Sequence, residues 1–251
     1  QAITPAESAK IDAIVAQSLS RTGVPSASIA IVRGGEIVFA KAYGKQSEVI
    51  QTPRVDAPYQ IASVSKQFTG AALLLLEDQG KLSLDDKVSQ SGLQDYWPQD
   101  YSFAAMATPT TPQGIVDRWA KKPLDYVPGT QWQYSNTGYV VAGMVVEKVA
   151  GMPLLSFLQK HVFKPLGMKA ISQDDALGPV RVEKPAAAGW LFAAGELSMS
   201  ATDLAKWDIA RMNRTLLPAD DWAAQETPTL LADGTATNYG LGVSVGVANG
   251  H

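Results

Sequence analysis

Ile61-Ala62-Ser63-Val64-Ser65-Lys66-Gln67-Phe68-Thr69-Gly70-Ala71-Ala72-Leu73-Leu74-Leu75-Leu76 heads the most apolar helical pattern in the chain. Val64, Phe68, Ala71, Ala72, Leu75 and Leu76 recur at helical spacing, and Leu73 and Leu74 make the opposite side apolar too. Residues 64–79 are therefore expected to form a helix buried on most of its circumference, with Gly80 as its C-terminal stop. Ser63 stands at the start of that helix, and Lys66 follows three residues later on the same face. Two readings are open. In one, Ser63 caps the helix and Lys66 is solvated, and chance alone supplies about one Ser-x-x-Lys in a chain of this composition. In the other, Lys66 faces the positive end of the helix dipole and is buried against Phe68 and the leucines. Both influences disfavour its charge, and a neutral amine beside a hydroxyl is a base able to take the serine proton. The Ser63 N–H, at the helix start, would then be placed to stabilise an oxyanion.

Upstream, residues 5–20 carry Ala9, Ile11, Ile14, Val15 and Leu19 at near-helical spacing, which predicts an amphipathic helix. Ala27–Arg33 and Glu36–Tyr43 are β-rich runs joined by Gly34-Gly35, a pattern that predicts a two-residue hairpin. Downstream, Pro98, Pro109, Pro112, Pro123 and Pro128 predict loops, broken by a short helix near Ile115 to Ala120. Further helices are expected from about Thr137 to Ala150, from Leu154 to Val162, and from a capping box at Ser200-Ala201-Thr202-Asp203 through Met212. Val243, Val245 and Val247 alternate within Leu241 to Val247, as in a strand. Strands at both ends of the sequence around a helical insertion imply an α/β fold. Its antiparallel sheet would draw on both termini, beside a helical lobe.

The chain has 251 residues, enough for one large domain or two lobes sharing a core, with 46% hydrophobic and 18% charged residues and a formal net charge of −3. It contains no basic run, which argues against nucleic acid as a partner, and no apolar run near the roughly 20 residues of a membrane span. Cysteine is absent and histidine occurs only at 161 and 251, so a disulfide framework, a thiolate nucleophile and a Cys- or His-rich metal site are not expected. No cofactor or metal is expected. The N-terminus, Gln1-Ala2-Ile3, reads as a mature end after signal cleavage or as an arbitrary start; an exported, periplasmic or secreted protein is the expectation.

Tyr134-Ser135-Asn136 is a second candidate, although Asn136 alone also suits a helix cap and Tyr134 a core aromatic. Taken together, the two motifs resemble the serine β-lactamase and penicillin-binding protein superfamily. Ile61 to Thr69 is similar to its nucleophile segment. Pro128 to Tyr139 looks like the second motif as written in the class C and esterase-like branch. Further similar segments follow in order: Glu147 with Gly151, Phe163 to Met168, Ser200 to Ala205, and Tyr239-Gly240-Leu241-Gly242. The resemblance runs from about Gly23 onward. It implies an antiparallel sheet flanked by helices plus an all-helical lobe, with the active site between them, and an α/β portion at about 1–60 and 214–251 beside a helical lobe at about 61–213.

By that resemblance Ser63 is the acylated nucleophile, Lys66 its proton acceptor and Tyr134 a proton shuttle to the leaving group. Asn136 would bind the substrate amide and orient Lys66. The implied reaction is acyl transfer through a serine ester followed by hydrolysis, on β-lactams or D-Ala-terminated peptides. The alternatives are a carboxylesterase and a penicillin-binding sensor without turnover. The family's third motif, Lys/His-x-Gly, has no counterpart before Asn249-Gly250-His251, so a single incomplete domain is expected, completed by a C-terminal segment or a second copy. Gly242-Val243-Ser244-Val245-Gly246 matches a nucleophile elbow, but that elbow needs a following helix, an acid and a histidine, which Val247 to His251 does not supply. The six tryptophans are expected in the core. The pairs Asp85-Asp86, Asp174-Asp175 and Asp220-Asp221 are expected in solvated loops, and His161 at a helix end without chemistry.

Overall fold

The computed structural model describes residues 2–86, 105–119, 123, 125–172 and 186–246. In chain order the elements begin with α1 (Pro5–Thr22), β1 (Ser26–Arg33), β2 (Glu36–Gly44) and β3 (Tyr59–Gln60). A 3-10 turn (Ala62–Ser65) leads into α2 (Lys66–Asp78), followed by α3 (Pro112–Trp119), α4 (Asn136–Ala150) and α5 (Leu154–Leu158). After a π turn at Gln159–Phe163 come β4 (Ala170–Ser172), β5 (Leu197–Met199), α6 (Ala201–Met212) and α7 (Ala219–Glu226). They form two compact units.

The first unit comprises residues 1–60, 161–183 and 197–216. Its α1 opens on a complete capping box: Thr4 Oγ1 accepts from Glu7 N at 3.2 Å, and the Glu7 carboxylate accepts from Thr4 N at 2.6 Å. Strands β1 and β2 form the antiparallel hairpin expected from Gly34-Gly35, whose φ angles of 59° and 80° only glycine adopts freely. Packed on this hairpin, α6 buries Trp207 completely. The short strands form a separate antiparallel sheet in the order β3-β5-β4.

The second unit comprises residues 61–160, 184–196 and 217–251. Helix α2 is its axis, packed by α4, α5 and α7. Phe68, Ala71, Ala72, Leu74 and Leu76 are buried, in accord with apolar residues on all sides of the helix. A further cluster joins Ile115 and Val116 of α3 to Val140 of α4 and Trp190.

Several expectations are corrected. Leu241 to Val247 does not form a strand in its described part: Gly242 has φ 86°, Gly240 N donates to Val243 O, and Ser244 makes only an isolated bridge with Tyr239. This stretch packs on α2. Leu241 N donates to Gln225 O at 3.1 Å, and a Cβ on Gly242 would lie 2.5 Å from the Lys66 carbonyl. Residues 217–251 group with the helical unit and residues 161–183 and 197–216 with the hairpin. Asp220 and Asp221 lie in α7, not in a loop, and Asp221 is buried. Trp190, Trp207 and Trp222 are core residues as expected, but Trp132 is exposed. Asp85 and Asp86 are exposed in a turn. Trp97, Asp174-Asp175 and Asn249-Gly250-His251 lie outside the described residues.

Candidate active site

The turn Ala62–Ser65 carries Ser63 just ahead of α2. Ala62 sits at φ 46°, a left-handed backbone that costs a non-glycine residue about 1 kcal/mol. Gly195 lies against this residue, where a Cβ would approach the Ala62 carbonyl carbon to 3.3 Å. The strained turn leaves Ser63 exposed while Lys66, three residues on, has no exposed surface.

Lys66 is not solvated, and the capping reading of Ser63 fails: no side chain caps α2. Lys66 Nζ lies 3.2 Å from Ser63 Oγ, 2.6 Å from Asn136 Oδ1 and 2.7 Å from the carbonyl oxygen of Ala194. Of these three partners, only the serine hydroxyl can donate a proton. A neutral lysine has two N–H donors and one lone pair. With the N–H groups given to Asn136 and Ala194, the lone pair falls towards Ser63. A protonated lysine satisfies the same three contacts as donor. The cage therefore holds the nitrogen in place on both sides of a proton transfer, without rearrangement of the heavy atoms.

Asn136 is not used as the cap of α4, because the neighbouring residue does the capping. Ser135, in extended backbone, accepts from Gly138 N through Oγ at 2.7 Å, so Asn136 is the first residue of α4 and not its cap. Tyr134, one residue before the cap, presents its ring to Lys66 with Nζ 4.8 Å from the centroid. The ring of Tyr139 lies 5.4 Å from the same nitrogen. The four residues singled out from sequence, Ser63, Lys66, Tyr134 and Asn136, are thus one cluster within the second unit.

Sequence reasoning did not find the rest of the site. The Ala194 carbonyl has no side-chain signature, and Ala193 before it has φ 57° while its own carbonyl accepts from Thr69 Oγ1 at 2.8 Å. Tyr139 and Tyr239 lie close enough to influence each other and Tyr134 electrostatically. Burial pushes the Tyr139 phenol strongly up. Burial first, and then the neighbouring Tyr134, pushes Tyr239 up to about 12. Both are neutral hydroxyls at pH 7. Tyr239 meets Tyr134 edge-on, with centroids 5.9 Å apart, and lies 5.3 Å from Trp132. Their signal was present in Tyr239-Gly240-Leu241-Gly242, which the sequence reading used only as a marker of resemblance. Among the described residues no group of three or more His, Asp or Glu side chains is placed to hold a metal.

The family model described as Beta-lactamase matches residues 11–251. Penicillin-binding protein 4* of Bacillus subtilis (strain 168) is 28% identical over 179 residues, covering 62% of this chain and 40% of that protein. The chain spans about half or less of the length of the curated relatives it matches. The octameric penicillin-binding protein homologue from Pyrococcus abyssi superposes with a TM-score of 0.77 at 25% identity, over 93% of this chain and 64% of that one. The D-stereospecific amidohydrolase from Streptomyces sp. superposes with a TM-score of 0.71 at 24% identity, over 90% of this chain and 79% of that one.

Proposed function

Because the chain belongs to the Beta-lactamase family, whose members are generally serine hydrolases, we propose that it hydrolyses amides through an acyl-enzyme on Ser63. It has the β-lactamase/transpeptidase-like α/β fold of antiparallel sheets and helices. The substrate class we propose is β-lactams and peptides ending in D-alanine. The names of the relatives support amides of D-residues over simple carboxylic esters: one is a penicillin-binding protein, another a D-stereospecific amidohydrolase.

The observation that supports this reading is the placement of Lys66 Nζ, 3.2 Å from the Ser63 hydroxyl and held by two oxygens, of Asn136 and Ala194, that can only accept. Ser63 Oγ attacks the carbonyl carbon while its proton passes to Lys66 Nζ, and the carbonyl electron pair moves onto oxygen. The Ser63 N–H, in the first turn of its helical segment, polarises that oxygen. When the intermediate collapses, the C–N bond breaks and the leaving nitrogen takes the Tyr134 hydroxyl proton, which the Lys66 ammonium replaces. Water then attacks the serine ester, releasing the acid and restoring Ser63.

The test compares a chromogenic β-lactam, a D-Ala-D-Ala peptide and a short-chain nitrophenyl ester side by side, with intact-protein mass spectrometry of the acyl adduct. Ser63→Ala should abolish turnover and adduct with all three substrates, and Ser244→Ala should leave them intact. Equal loss in both variants would reject the nucleophile. Preference for the ester favours the carboxylesterase, and a stoichiometric adduct without turnover favours the sensor.

A further inference from the structure

We propose that Trp132 and Tyr239 form the wall on the leaving-group side of this site and select amides whose amine portion carries an aromatic or bulky apolar side chain. The inference rests on the roles proposed above for Ser63 and Tyr134. Of the tryptophans whose side chains are described, Trp190, Trp207 and Trp222 are buried, whereas Trp132 is 44% exposed. It is nevertheless held in place. Its ring tilts 34° against Tyr239, and Tyr239 stands at 89° to Tyr134, so a single ring touches both the exposed indole and the proposed proton shuttle.

Tyr239 is itself fixed. Its N–H donates to Thr237 Oγ1 at 3.3 Å, its carbonyl accepts from Thr229 N at 2.9 Å, and the next residue, Gly240, packs so closely on Gln225 that a Cβ would clash with the Gln225 carbonyl. The loop bearing Trp132 is braced on the same segment, with Ala232 N donating to Gly129 O at 2.8 Å. Val127 and Leu230, on these two braced segments, are also exposed, so the indole belongs to an apolar rim. A rigid aromatic face at such a rim gains from a second ring both by buried area and by tilted or offset stacking, at small cost in side-chain entropy. Its side of the site follows from chemistry: Tyr134 passes its proton to the departing nitrogen, and Trp132 lies beyond Tyr134 through Tyr239. A phenyl group on the amine portion would reach it, while one on the acyl portion would not.

The test uses the full chain with Ser63→Ala, which keeps ligands intact, and measures binding by calorimetry of three peptides: N-acetyl-D-Ala-D-Phe, N-acetyl-D-Ala-D-Ala and N-acetyl-D-Phe-D-Ala. The first should bind roughly tenfold more tightly than the other two. Adding Trp132→Ala should erase that difference and leave the D-Ala-D-Ala affinity within about twofold, while Trp132→Phe retains most of it. Equal affinities, a preference for the D-Phe acyl peptide, or a uniform loss on Trp132→Ala would overturn the proposal. Hydrolysis that survives Ser63→Ala would instead reject the nucleophile, a result read from turnover and not from these affinities.

Discussion

Lys66 lies against the acceptors of Asn136 and Ala194, the Ser63 hydroxyl and the rings of Tyr134 and Tyr139, so the chemistry of the site turns on what those neighbours allow its nitrogen to be. Burial opposes the charged form, while the acceptors and ring faces favour it. A carboxylate in place of the Asn136 amide would tip this balance. Asn136→Asp places a negative charge within hydrogen-bond reach of Nζ, stabilises the ammonium and delays its loss. The ascending limb of the kcat/KM–pH profile should move up by about 1 to 3 pH units, with activity at pH 7 reduced at least tenfold. An unchanged limb would mean that Lys66 is not the group titrating. The pairing of Ser63 with Lys66 was legible from i, i+3 spacing alone. The third partner, the Ala194 carbonyl, was not, because any residue supplies a carbonyl and only the fold decides which one points inward.

Helix α4 shows how an element positions a candidate site residue. Its cap is Ser135, and Asn136, the next residue, turns its amide oxygen towards Lys66. Ser135→Ala should cost about 1 kcal/mol in denaturant unfolding and also lower kcat, because the first turn that aims Asn136 loses its anchor. A loss of stability with full activity would separate the cap from the site. Sequence periodicity located α1, the β1–β2 hairpin, α2, α4 and α6 because each buries one face or is punctuated by glycine or a cap. Strands β3, β4 and β5 run two or three residues, too short for any period to register, and exist only through their pairing. The short helix α7 was missed because Asp220-Asp221 reads as a polar surface pair, whereas the tertiary fold turns Asp221 and Trp222 inward.

At the scale of the whole molecule, the contact of α7 with α2 carries a cost that depends on pH. Asp221 is buried, its Oδ2 has no hydrogen-bond partner among the described residues, and burial, followed by the charges of Asp78, Asp220 and Glu77, raises its carboxyl to about 6. The folded state thus holds this proton more tightly than the unfolded chain, whose carboxyl titrates near 3.8. The stability linked to it is fully present below about pH 4 and is lost as pH rises through about 6. Asp221→Asn keeps a donor towards Asp78 without the charge. It should gain on the order of 2 kcal/mol at pH 8 and flatten the fall in stability between pH 4 and 7, measured by urea unfolding across that range. An equal pH dependence in both proteins would assign the slope to other groups.

By itself the sequence determined the family, the pairing of Ser63 with Lys66, the hairpin and the long helices, because these depend on spacing and on backbone preferences local to a few residues. Only the tertiary structure decided that Ser135 and not Asn136 caps α4, that the stretch around Gly242 packs on α2 instead of extending a sheet, and that Trp132, Tyr139 and Tyr239 surround the site. Those outcomes rest on contacts between residues as much as 176 positions apart in the chain, such as that of Gly242 with Lys66, and no local pattern encodes which distant groups will meet.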